Sequence, residues 1–131
     1  MQSELLKEAI KAQKNAHAPY SKKYIGAAIL MDDGKIYSGC NVENASYGGT
    51  VCAERVAIFK GISEGAKKIQ EVQVVSSETN PWPPCGFCRQ VIAEFATPTT
   101  KIHLSNPQGH TRSLLFTELF PEAFGPAHLQ K

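Results

Sequence analysis

The chain has 131 residues and a formal net charge of +2, too little positive charge to argue for nucleic acid or an anionic membrane as a partner. Its 42% hydrophobic and 20% charged content suits a folded globular protein and excludes a disordered polymer. No apolar run reaches transmembrane length, and one domain over residues 1–131 is expected.

The opening "MQSELLKEAIKAQ" carries Glu4 and Glu8 where an export signal would be apolar. The expected location is therefore the reducing cytoplasm, where four cysteines point to metal binding or catalysis before disulfides. Leu5, Leu6, Ala9 and Ile10 share one helical face, so a helix is predicted from Ser3 as N-cap to about Ala16. Pro19 and Ser21 break it. "IGAAILM" (25–31) reads as a buried strand, "DDG" (32–34) as a hairpin turn and "KIYSGC" (35–40) as the returning strand.

A polar loop (41–50) follows, and Thr50 is the expected N-cap of a helix from Val51 to about Ile62. Val56, Ala57, Ile58 and Phe59 are expected to anchor that helix in the core. A strand is predicted over 69–77, then a loop with three prolines, then a helix over 85–96. A strand over 101–106 and the "NPQG" turn lead to a short helix over 113–120 and an irregular tail. This order predicts an α/β layered fold with a mixed sheet of four or five strands.

Chemistry concentrates where two loops enter helices. "PCGFC" places Cys85 and Cys88 at one helix start, and "TVCAER" places Cys52, Glu54 and Arg55 at another. Helix N-termini lower thiol pKa values, and thiolates bind zinc. Three thiolates with an open fourth position form a catalytic zinc arrangement, whereas Cys40 as a fourth ligand would close a structural one. Glu54 can reach a zinc-activated water without being a ligand. A zinc ion with three thiolates is formally anionic and a weak Lewis acid. Arg55 is the candidate to withdraw that charge from the sulfurs, while Arg89 is expected to be structural.

Cys52-Ala53-Glu54 and Pro84-Cys85-Gly86-Phe87-Cys88 fit the three-cysteine variant of the zinc nucleobase deaminase signature. "APYS" (18–21), "GCNVENASY" (39–47), "CAER", "PCGFCRQ" and the tail "AFGPAHLQK" extend the likeness over nearly the whole chain. In these stretches the chain resembles the short cytidine deaminases of pyrimidine salvage. Cysteine at position 52 suits the homotetrameric branch, with active sites at subunit interfaces.

The resemblance implies a three-layer α/β/α sandwich with about five strands in a mixed sheet. It also implies hydrolytic deamination of cytidine and 2′-deoxycytidine, with one zinc per chain on Cys52, Cys85 and Cys88. Glu54 would shuttle protons, Asn41 and Glu43 would bind the ribose hydroxyls, and Ala53 would offer backbone contacts to the pyrimidine. Phe124 would reach a neighbouring subunit's site. A free nucleoside needs no base flipping, which agrees with the weak net charge.

The family commonly reads "SKFPVGAA" where this chain reads "SKKYIGAA", so Lys23 stands in place of a base-packing phenylalanine. Either Tyr24 is brought in or other groups hold the base. Two rival readings share the motif: a deaminase of an aminoacyl-nucleoside antibiotic or other cytosine nucleoside analogue, and a non-enzymatic zinc module that uses Cys40. A deaminase acting on polynucleotides would be expected to carry a basic channel.

Overall fold

A computed structural model describes residues 3–130. Met1, Gln2 and Lys131, the last residue of the tail motif, lie outside the described residues. The elements run α1 (Glu4–Gln13), β1 (Ile25–Met31), β2 (Ile36–Cys40), α2 (Ala53–Ser63), β3 (Ile69–Ser76), α3 (Gly86–Phe95), β4 (Ala96–Ser105), β5 (Thr111–Leu115), α4 (Phe116–Leu119) and α5 (Pro126–Leu129). A 3₁₀ turn covers Tyr47–Gly49.

Five strands form one sheet in the order β2-β1-β3-β4-β5. Only β3 and β4 are parallel, and α3 lies between them in the chain. The other neighbouring pairs are antiparallel, so the sheet is mixed. Because side chains alternate along a strand, β1 serves two cores. Ala27, Ile29 and Met31 join Ala57, Ile58 and Ile92 of α2 and α3 on one face. Ala28 joins Leu5, Leu6 and Ala9 of α1 on the other. The sheet is thus the middle of three layers.

Two glycines set how closely the layers approach. A Cβ on Gly26 would stand 2.1 Å from the Ala9 carbonyl oxygen of α1. A Cβ on Gly39 would stand 2.8 Å from the Ala57 nitrogen of α2. Gly26 pairs with Cys40 and Gly39 with Ala27. Cross-strand partners share a face, so Cys40 belongs to the α1 side of the sheet and α2 to the opposite side.

Several boundaries differ from the sequence expectation. Ser3 caps α1 through its side chain, accepting from the Leu6 N–H, but the helix ends at Gln13, three residues before Ala16. The segment 113–120 is not one helix. Thr111–Leu115 adds as β5, antiparallel to β4, and helix is confined to Phe116–Leu119. The tail holds a short helix at Pro126–Leu129. In α2 the inward residues are Ala53, Glu54, Ala57, Ile58 and Gly61, while Val56 is half-buried and Phe59 is exposed rather than anchored in the core.

Gly26→Ala is expected to destabilise the fold by about 1–3 kcal/mol through overpacking of α1 on β1. A urea midpoint equal to that of the wild type would contradict the close approach.

Candidate active site

The start of α2 is displaced from the expected position, and the displacement builds the site. Val42 and Val51 exchange backbone hydrogen bonds of 2.9 Å in each direction, holding the chain extended through Val51. The Thr50 hydroxyl oxygen accepts from the Asn44 N–H at 3.1 Å, so it is not spent on a helix end. The helix therefore begins at Ala53 with Cys52, not Thr50, as its N-cap. Cys85 is the N-cap of α3, and its sulfur accepts from the Cys88 N–H at 3.4 Å.

These two helix starts bring Cys52, Cys85 and Cys88 together, with all three sulfurs within 4.8 Å of one another. Cys52 and Cys85 are 3.8 Å apart, sulfur to sulfur. The hydrogen bond with Cys88 pushes the Cys52 thiol down to about 5 against the cost of its burial, with Arg55 and Cys85 adding to the effect. The same bond, with burial, pushes Cys88 up. One thiolate thus forms readily and opposes formation of the next. Three soft donors at two helix N-termini could hold one zinc ion. Cys40 is outside the cluster because it faces the α1 side of the sheet, and burial raises its pKa.

Arg55 lies over this cluster. Its Nη2 donates to the Cys52 sulfur at 3.6 Å and to the Thr50 carbonyl at 3.3 Å. The guanidinium sits 4.2 Å from the centroid of the Phe87 ring. Its Nε is buried with no hydrogen-bond partner among the described residues. Glu54, 4% exposed, lies on the inward face of the first turn. Burial pushes its carboxyl up to about 7, and the Cys52 charge adds to the rise.

A pocket of about 290 Å³ opens beside these groups. Cys52, Ala53, Glu54 and Cys85 line one part of it, Asn41 and Glu43 another. Asn41 is buried; its side chain donates to the Lys23 carbonyl at 2.8 Å and accepts from the Ile25 N–H at 2.9 Å. Glu43 accepts from the Ser21 hydroxyl and from the Tyr20 and Ser21 N–H groups, both at 3.1 Å. Those donors, the Ser21 hydroxyl first, hold its pKa below the usual carboxylate range.

The structure chooses between Lys23 and Tyr24. Lys23 lines the pocket in the same alternation as Ile25, and Tyr24 does not line it. The Lys23 ammonium donates to Glu78 at 2.8 Å. Trp82 and Val74 also line the pocket, and sequence reasoning named neither. Trp82 was hidden among the prolines of a segment that reads as a stiff loop. Phe124 is exposed, stacked on His128 at 5.1 Å, and does not line this pocket. Arg89 is structural: it donates to the Pro84 and Leu119 carbonyls, at 2.9 Å each.

Residues 1–104 match the family described as the cytidine and deoxycytidylate deaminase zinc-binding region. The chain belongs to the cytidine and deoxycytidylate deaminase family. It is 50% identical over 120 residues to a cytidine deaminase of Halalkalibacterium halodurans, covering 92% of this chain and 91% of that one. It is 44% identical over 125 residues to a cytidine deaminase of Sporosarcina psychrophila, covering 95% and 92%. The crystal structure of a Burkholderia pseudomallei cytidine deaminase superimposes with a TM-score of 0.86 at 43% identity, covering 92% of this chain and 96% of that one. That of Mycobacterium tuberculosis gives 0.80 at 38%, covering 93% and 95%. Members of this deaminase family are zinc-dependent hydrolases, which agrees with the thiol cluster. Among the described residues, no helix is long and apolar enough to cross a membrane.

Zinc titration is expected to protect three of the four cysteines from a thiol reagent, leaving Cys40. Cys85→Ala should lose tight zinc and Cys40→Ala should keep it. Metal loss from Cys40→Ala, measured by atomic absorption, would return Cys40 to the ligand set.

Proposed function

We propose that this chain is a zinc-dependent deaminase that converts cytidine and 2′-deoxycytidine to uridine and 2′-deoxyuridine, releasing ammonia in cytoplasmic pyrimidine salvage. The observation that carries this reading is a buried carboxyl, Glu54, in one pocket with a three-thiol cluster at its side. A zinc module with only a structural role has no use for that acid, and the cysteine it would need as a fourth ligand lies outside the cluster.

Cys52, Cys85 and Cys88 would hold one zinc ion per chain, which would supply Lewis acidity that brings a water molecule close to neutral pKa. Glu54 does the proton work. A carboxyl held near about 7 can both take and return a proton at neutral pH. It accepts one from the attacking water and places it on N3 of the pyrimidine, as C4 becomes tetrahedral. It then takes the proton of the new C4 hydroxyl and delivers it to the amino group, so that C4 becomes a carbonyl as the C4–N bond breaks and ammonia leaves.

Arg55 draws charge from the Cys52 sulfur through its Nη2 contact. Asn41 retains one free amide N–H and Glu43 one unused lone-pair direction, which suit the hydroxyls of a ribose. Ala53 sits at the pocket wall, where its backbone can meet the base. The assembly in this proposal is a homotetramer. Phe124 is exposed and outside its own pocket, as a side chain serving a neighbouring subunit's site would be. The exposed apolar side chains of Phe59 and Phe87 on α2 and α3 offer surface for subunit contact.

Cytidine absorbance, followed alongside zinc content, tests the reading. Glu54→Gln is expected to keep zinc and lower kcat by about 10³-fold or more. Zinc-loaded wild type that leaves both nucleosides unchanged would sink the proposal. Arg55→Gln is expected to slow turnover by about 10- to 100-fold with the fold retained; an unchanged rate would remove its role in charge compensation.

A further inference from the structure

The proposed chemistry leaves Trp82 without a role. It lies on the loop between β3 and α3, lines the pocket that holds Glu54 and Cys85, and is 41% exposed. It is the one aromatic side chain among the described residues lining that pocket, and the only tryptophan in the chain.

Its loop is held at both ends. Pro81 and Pro83 flank Trp82, and Pro84 is fully buried. Each proline fixes one backbone torsion. The Thr79 carbonyl accepts from the Asn106 side chain at 2.7 Å, and the Pro84 carbonyl accepts from Arg89 at 2.9 Å. An indole with few rotamers, on a loop tied in this way, loses little freedom when a ligand arrives.

The rest of the wall cannot supply the same surface. Ile25 and Val74 are aliphatic. Lys23 is committed to Glu78 at 2.8 Å, so it adds a neutralised ion pair rather than a free cation. A pyrimidine is flat and presents two π faces, and base–aromatic stacking is a substantial source of binding energy.

We propose that Trp82 is the base-binding platform of this pocket, stacking its indole on the pyrimidine ring of the bound cytosine nucleoside. The inference rests on the deaminase reading above and adds to it the residue that grips the base. Trp82 is a binding residue, so its loss should act on KM more than on kcat.

The single tryptophan makes the test direct. Zinc-loaded Glu54→Gln, in which turnover is expected to be slow enough for equilibrium titration, should change its tryptophan emission saturably with cytidine, with a midpoint equal to the calorimetric Kd. In the active enzyme, Trp82→Leu keeps apolar bulk but has no π face, and should raise KM on the order of tenfold. Trp82→Phe should stay within about threefold of wild type, since a phenyl ring retains a stacking face. Constant emission while calorimetry records binding would overturn the inference, as would wild-type KM in Trp82→Leu. Either result would leave the deaminase reading intact if wild type turns cytidine over. A zinc-loaded wild type without turnover would overturn both.

Discussion

The short bridge between Val42 and Val51 decides where α2 begins, and the site depends on that starting point. With the chain held extended through Val51, Cys52 becomes the cap residue and Glu54 falls two residues later, on the inward face of the first turn. A helix begun at Val51 would give Cys52 helical torsions rather than the extended ones of a cap. Its sulfur would then leave the direction in which it meets Cys85 and Cys88. The bridge also ties the Asn41–Glu43 segment to the same helix start. Two backbone hydrogen bonds therefore link the groups proposed to hold the ribose to those proposed to hold the metal.

The electrostatics around Cys52 oppose one another. Burying the Arg55 Nε without a partner costs about 1–3 kcal/mol. Stacking over Phe87 returns about 0.5–1 kcal/mol, since that ring is mostly exposed. Attraction between the guanidinium and the Cys52 sulfur, to which Arg55 donates directly, acts in the same favourable direction. Arg55 is thus better satisfied when the cluster is ionised, and the cluster ionises most fully around a cation. Glu54 is affected in the opposite sense. Burial and the charge on Cys52 both favour its neutral form, and Arg55 only partly offsets them.

The motifs around Cys52, Cys85 and Cys88 were legible because a helix start leaves a local mark on sequence and Cys85 and Cys88 stand three residues apart in a C-x-x-C pattern. The exact cap was not. Thr50 is the better capping residue by propensity, and only the tertiary use of its hydroxyl by Asn44 passes the role to Cys52. The segment 113–120 misled for a similar reason. Leu114, Leu115, Phe116, Leu119 and Phe120 suit a helical period, yet β4 offers a free edge and takes Thr111–Leu115 as a strand. Phe59 follows two buried residues in α2 but points away from the sheet, and the apolar run 56–59 does not reveal which face is inward. Cys40 could be assigned only once its register with Gly26 fixed its side of the sheet.

At the far end of the pocket, Asn41 ties strand backbone to the pocket wall. Its buried side chain spans Lys23 and Ile25, satisfying a carbonyl and an N–H where β1 enters the sheet. Losing those bonds would leave two backbone groups unpaired beside a largely apolar wall, at about 1–3 kcal/mol each. Glu43 likewise fixes Tyr20 and Ser21, in the segment before β1, with three hydrogen bonds. Each residue keeps unused hydrogen-bonding capacity for a ligand only because its other bonds already fix its geometry. The polar end of the pocket is therefore preorganised, and little orientational freedom would be left to lose in the proposed ribose contact.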